Sequence, residues 1–174
     1  MGGSFILLSD IFLSKKIKVE ENKKKTLLIT SAVTLHNIPE GMAVGVAFGS
    51  LSLNIPEVSL IGASLLALGI GLQNFPEGLC VSLPLRKSGM SRKKAFFYGQ
   101  MSGIVEPIFG VIAAIGAMFV QNIMPFLLSF SAGAMIAVVT SELIPDSFKD
   151  NKLLASIGLL LGFSVMMILD VALG

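Results

Sequence analysis

The chain has 174 residues, 53% of them hydrophobic and only 14% charged, with a mean hydropathy of +0.84. A water-soluble domain of this length needs more polar surface, so the composition excludes that class and selects a polytopic membrane protein. The net charge of +2 points to no nucleic-acid partner, and the single cysteine, Cys80, excludes an intrachain disulfide framework and a cysteine-cluster metal site.

Met1–Asp10 carries no basic residue ahead of its apolar run and does not read as a signal peptide. Ser4–Leu13 is too short to cross a bilayer and reads as the end of a helix that begins upstream. Crossing takes roughly 20 helical residues. Five later stretches reach that length: Leu27–Ser50, Val58–Leu85, Ala95–Val120, Met124–Ile144 and Leu153–Leu173. Their apolar runs are continuous rather than alternating, which predicts helices and not barrel strands. The predicted fold is therefore all-α: one polytopic transmembrane bundle over residues 1–174, with five full spans plus the tail of a sixth.

The charges orient this bundle. Lys15, Lys16, Lys18, Lys23, Lys24 and Lys25 precede the first full span. Arg86, Lys87, Arg92, Lys93 and Lys94 separate the second and third spans, and Lys149 and Lys152 separate the fourth and fifth. Alternate crossings put all three segments on one side, which the positive-inside rule makes the cytoplasm. The opposite loops, around Leu51–Glu57 and Gln121–Ile123, have no Lys or Arg. A multi-pass protein of the cell membrane is expected, with its C-terminus outside.

Glu40, Glu77 and Glu106 lie well inside apolar spans, where an ionisable group implies function. The segment Leu35–Val44, LHNIPEGMAV, recurs 37 residues later as Leu72–Val81, LQNFPEGLCV, with six of ten positions identical. Consecutive spans run antiparallel, so the repeat brings two similar polar clusters face to face at mid-membrane. His36 and Glu40 are four residues apart, as are Gln73 and Glu77, so each pair projects from one helix face. Pro39, Pro76 and Pro107 lack an N–H and release the carbonyls of Leu35, Leu72 and Gly103. Gly41, Gly78 and Gly103 permit close helix approach.

One imidazole among amides and carboxylates suits Zn²⁺, Mn²⁺, Fe²⁺ or Cd²⁺ better than Cu(I), which prefers sulfur ligands. Three carboxylates in a low-dielectric interior repel one another, and a dication offsets that charge. An isolated helical histidine is more often a buried hydrogen-bonding group, but the adjacent Glu, Pro and repeat reverse that preference for His36. Glu142 fits a solvated helix end as well as a role in metal exit. Asp10 and Asp170 read as interfacial, Cys80 and the methionines as packing. No HExxH stretch is present and no serine nucleophile is evident beside the single histidine in sequence, so an intramembrane enzyme is not expected.

The motifs HNIPEG (His36–Gly41), QNFPEG (Gln73–Gly78) and SGIVEP (Ser102–Pro107) resemble those of the ZIP (Zrt/Irt-like) divalent metal transporters. Gln at the start of the second motif resembles the bacterial GufA-like branch. The likeness runs through SELIP (Ser141–Pro145) to LDVALG (Leu169–Gly174). It implies an eight-helix fold of which this chain holds the end of helix three to helix eight, as an N-terminally truncated form. It also implies a binuclear site. One metal takes His36, Glu40, Gln73 and Glu77; the other takes Asn37, Asn74 and Glu106, with Glu40 and Glu77 bridging. Some relatives carry Asp at the position of Asn74, and some carry His at Ser141, beside the residue matching Glu142. The expected function is transport of a divalent metal, zinc foremost, toward the cytoplasm by rocking of helix groups around the site. The alternative is a membrane fragment, scaffold or sensor that binds metal without transporting it alone. Expected partners are the metal, the lipid bilayer, and either a second copy in a homodimer or the missing N-terminal helices.

Overall fold

The computed structural model describes residues 2–16, 21–53 and 59–173. Lys18 and most of the Leu51–Glu57 loop, both used above to set topology, lie outside the described residues. The helices are α1 (Gly2–Lys16), α2 (Glu21–Ser50), α3 (Leu60–Lys87), α4 (Arg92–Gly103), α5 (Val105–Ile115), α6 (Ala117–Val138), α7 (Ile144–Asp150) and α8 (Lys152–Leu173). No strand occurs among the described residues, and the all-α bundle expected from composition is what forms.

Helix α2 is the spine. Its 30 residues extend about 45 Å, and α1, α3, α5 and α6 all pack on it. Helix α3 returns antiparallel, which brings the second copy of the repeat beside the first. The α3–α4 reversal turns at Gly89, whose φ of +94° is strained for any residue with a Cβ. Ser91 then caps α4 by accepting from the Lys94 amide at 3.5 Å. Helix α5 runs parallel to α2, with Gly41, Gly45 and Gly49 opposite Glu106, Gly110 and Ala114. Helix α6 runs back antiparallel. Helix α8 rests on α3 and α7, and its spanning segment buries no residue.

Two expected boundaries move. The third span is interrupted at Ile104, whose N–H reaches Met101 O at 3.3 Å, so α4 and α5 are separate helices. Pro107 explains the place, because it leaves Gly103 O without its helical donor. The span also ends at Ile115, and the reversal falls at Gly116 rather than at Gln121–Ile123. Those three residues lie inside α6, where the Gln121 and Asn122 amides donate to Met118 O at 3.4 and 3.3 Å. Pro39 and Pro76, by contrast, are accommodated within unbroken helices.

Among the described residues, three segments are long and apolar enough by themselves to cross a membrane: Arg92–Ile115, Ala117–Lys149 and Lys152–Ala172. Helices α2 and α3 have the length, but their polar motifs dilute the apolar character. They turn that polarity inward. Large apolar side chains cover the outer faces instead, with Ile115 85% and Val171 82% exposed, a surface suited to hydrocarbon and not to water. The basic α3–α4 turn meets α7 at one end of the bundle, where Asp146 lies 3.5 Å from both Lys87 and Lys149. Near that end Ile6, Leu28, Ile29, Val33, Val81 and Val138 form an apolar cluster. A second cluster of Ala113, Val120 and Met124 packs against Met42, Ala43 and Val46. Along α2 the residues between Val33 and Met42 are bounded by these two apolar clusters, and the polar groups are there.

Candidate metal centre

The i, i+4 spacing on α2 places His36 one turn before Glu40, with Nε2 3.3 Å from Glu40 Oε1. Across the antiparallel pair, the same Nε2 lies 3.6 Å from Glu77 Oε1 on α3. Ligand atoms of His36, Glu40 and Glu77 all fall within 4.8 Å of one another. Gln73 bridges the two carboxylates, its amide donating to Glu40 Oε1 and, at 3.1 Å, to Glu77 Oε1. These four side chains, two from each copy of the repeat, form one compact group.

A second group adjoins it. Asn74 donates to Glu106 Oε2 at 2.6 Å, joining α3 to the first turn of α5. Asn37, 1% exposed, donates to Ser102 O at 3.4 Å, just before the α4–α5 break. A Cβ added at Gly103 would lie 3.8 Å from both the Asn37 amide nitrogen and Glu106 Oε1, which puts those groups around one point. All seven residues anticipated from the motifs are thus gathered between α2, α3 and the α4–α5 junction.

The centre gathers more buried oxygen than the protein itself satisfies. Asn37 Oδ1, Glu40 Oε2, Asn74 Oδ1, Glu77 Oε2 and Glu106 Oε1 are buried and have no hydrogen-bond partner in the protein. An orphaned buried oxygen loses its hydration without compensation, at about 1–3 kcal/mol each and more when charged. No Lys or Arg occurs between Lys25 and Arg86, or between Lys94 and Lys149, so the sequence around the three glutamates supplies no cationic side chain of its own. Converging oxygen lone pairs with one imidazole nitrogen among them make a candidate site for a cation. The donor set, mostly hard oxygen with one borderline nitrogen, fits a divalent ion of zinc type.

Residue placement corrects several expectations. Close approach is tight at Gly41, where an added Cβ would lie 2.5 Å from Glu106 Cα, and at Gly78, whose carbonyl oxygen would lie 2.7 Å from a Cβ on Gly99, but a Cβ at Gly103 meets nothing nearer than 3.8 Å. Ser131 on α6, unmarked by any motif, sits 2.6 Å from His36 Nδ1, so a serine does accompany the histidine in space. It is 95 residues away in the chain, and nothing local in its SFSAGA surroundings signals it. Glu142 lies in a single π-helical turn, Val139–Leu143, rather than at a plain helix end. Asp170 borders a recess between α3 and α8 that Gln73 also lines.

These features define a membrane-embedded helix bundle built around a candidate imidazole–carboxylate–amide cation site. A family model described as ZIP zinc transporter matches residues 13–170, and the chain belongs to that family. It is 51% identical over 152 residues to the zinc transporter ZIP11 of Xenopus tropicalis, covering 87% of this chain and 45% of that protein. The human ZIP11 is 49% identical over 152 residues, with 87% and 44% covered. The zinc transporter GufA of Myxococcus xanthus is 42% identical over 149 residues, with 85% and 56% covered. The GufA-like character read from Gln73 agrees with these relatives. The chain spans about half the length of the curated relatives it matches.

Proposed function

We propose that this chain holds a divalent metal ion, zinc foremost, at the centre of the membrane and passes it toward the cytoplasm. The observation that carries the reading is the set of five buried, unpartnered oxygens on Asn37, Glu40, Asn74, Glu77 and Glu106, with His36 beside the two glutamates of the repeat. Lipid offers them no other compensation. Relatives that bear the name zinc transporter support zinc as the ion carried. The clustering of basic segments at one end of the bundle supports a cytoplasmic face there. Helices matching the remainder of the relatives, or a second copy in a homodimer, would cover the apolar flanks of α1 and α8.

Uptake of zinc by proteoliposomes, read with a trapped zinc-sensitive dye, tests passage. Signal rising with external zinc, and absent from Glu77→Gln vesicles, is the expected result. Cysteines introduced into Arg86–Lys94 on a Cys80→Ser background report the orientation of the same vesicles. Tight binding with no uptake would assign the chain metal capture only, the reading of a scaffold or sensor.

Within the centre, His36, Glu40, Gln73 and Glu77 form the first metal position, and Asn37, Asn74 and Glu106 the second, with Glu40 and Glu77 shared. The second brings one carboxylate of its own, and amides are weaker donors to a hard ion, so unequal occupancy is expected. Elemental analysis should find about one zinc after long dialysis and about two in excess zinc. Asn74→Asp should strengthen the weaker position about tenfold, or ~1.4 kcal/mol, and Glu106→Ala should abolish it alone. Two equally tight ions, indifferent to Glu106→Ala, would overturn this assignment.

A further inference from the structure

Ser131 carries an interaction that the metal ligands alone do not explain. Hydroxyls on these helices characteristically fold back on their own backbone. Ser9, Thr30, Thr34, Ser64, Ser82 and Ser129 each donate to the carbonyl four residues earlier, at 2.6 to 2.8 Å. That bond satisfies a hydroxyl in lipid without any tertiary partner. Ser131 is 2% exposed and reaches across to α2 instead, where both its contacts belong to one residue: His36 Nδ1 at 2.6 Å and His36 O at 3.5 Å.

We propose that Ser131 is a positioning residue that selects which nitrogen of His36 is offered to the metal. A serine hydroxyl has one hydrogen and two lone pairs. If its hydrogen goes to His36 O, the oxygen accepts from Nδ1–H, and the lone pair of the neutral ring is then on Nε2. Nε2 is the nitrogen that faces Glu40 and Glu77. If the hydroxyl rotates and donates to Nδ1, the ring hydrogen sits on Nε2 and serves those carboxylates while the site is empty. One rotor thus supports both occupied and empty states, and the ring plane is held in each. A metal-bound histidine is ordinarily oriented through its other nitrogen, and losing that partner typically lowers metal affinity 10–100-fold. Ser131 supplies this partner from a helix that contributes none of the seven candidate ligands.

The inference rests on the proposed metal site, and the single histidine of the chain makes the test clean. Purified protein labelled with ¹⁵N-histidine gives one pair of ring nitrogens, free of overlap. In the zinc-loaded parent, Nδ1 should carry the proton and Nε2 the metal. Ser131→Ala should weaken zinc binding about tenfold and shift or broaden the Nδ1 resonance even without metal. Ser131→Thr, which restores the hydroxyl, should recover both, whereas Ser129→Ala should change neither. An unchanged Nδ1 signal and affinity in Ser131→Ala would overturn the proposal. So would failure of Ser131→Thr to recover either in a folded protein. Absence of zinc binding by the parent would overturn the metal reading instead, leaving the metal-free Nδ1 comparison to decide whether Ser131 holds the ring.

Discussion

Glu40→Gln and Glu77→Gln should each lower zinc affinity by at least about a hundredfold, ~2.8 kcal/mol, while leaving the metal-free protein no less stable. Both halves follow from the same geometry. Each carboxylate approaches His36 Nε2 with one oxygen and leaves the other buried without a partner. With metal, the pair supplies both negative charges of the proposed first position, charges shared with the proposed second. In the metal-free protein the neighbouring carboxylates repel one another in a low-dielectric interior, and an isosteric amide in place of one removes that repulsion while keeping the shape. Isothermal titration with zinc, together with thermal unfolding in detergent before and after zinc, measures both effects. The zinc-induced rise in unfolding temperature should vanish in the variants, since ligand stabilisation scales with occupancy. Cys80→Ser, one turn beyond Glu77, should bind zinc like the parent. A Glu40→Gln protein that bound zinc undiminished would remove the central claim.

The second large effect is expected at the α2–α5 seam. Three glycines on one face of α2 meet backbone, not flexible side chains. A Cβ on Gly45 would collide with the carbonyl of Gly110, 2.8 Å from its carbon, and one on Gly49 would lie 2.9 Å from Ala114 Cα. Neither helix can yield without separating. Gly45→Ala should therefore destabilise the fold by about 1–3 kcal/mol or more, despite the better helix propensity of alanine. Gly41→Ala should in addition displace Glu106, so the weaker metal position is lost before the His36 position. Gly71→Ala, where an added methyl meets nothing within 4 Å, serves as the control and should be neutral or stabilising. Thermal unfolding of the three variants decides the matter. Parent-like stability of Gly45→Ala would show that the seam is looser than its backbone contacts imply.

The two effects separate binding from scaffold. Glutamate substitutions remove affinity from an intact bundle, whereas seam substitutions loosen the bundle and take the site with it. The physical distinction is between charge, supplied locally by side chains, and separation, set by the smallest residues at a helix contact.

Much of this was legible along the chain, for a definite reason. In hydrocarbon a polar group is costly enough that each one inside an apolar span stands out, and i, i+4 spacing alone assigns it to a helix face. Helical spans, charge asymmetry, the duplicated motif and the seven candidate ligands therefore all appear in the sequence. Tertiary structure decided what depends on neighbours distant in the chain. The backbone facing Gly45 comes from α5 and is encoded 65 residues away, and Gly41, tight against Glu106, differs from Gly78 only through its neighbours. The reversal at Gly116 and the interruption at Ile104 depend on how α5 and α6 dock on α2, which an apolar run by itself leaves open. Ser131 is the clearest case, because a serine in an apolar helix is unremarkable until α6 lies antiparallel to α2 and sets its hydroxyl against His36. Local composition could say which residues must be shielded from lipid. Only the packing of α3, α5 and α6 around α2 could say which atoms shield them.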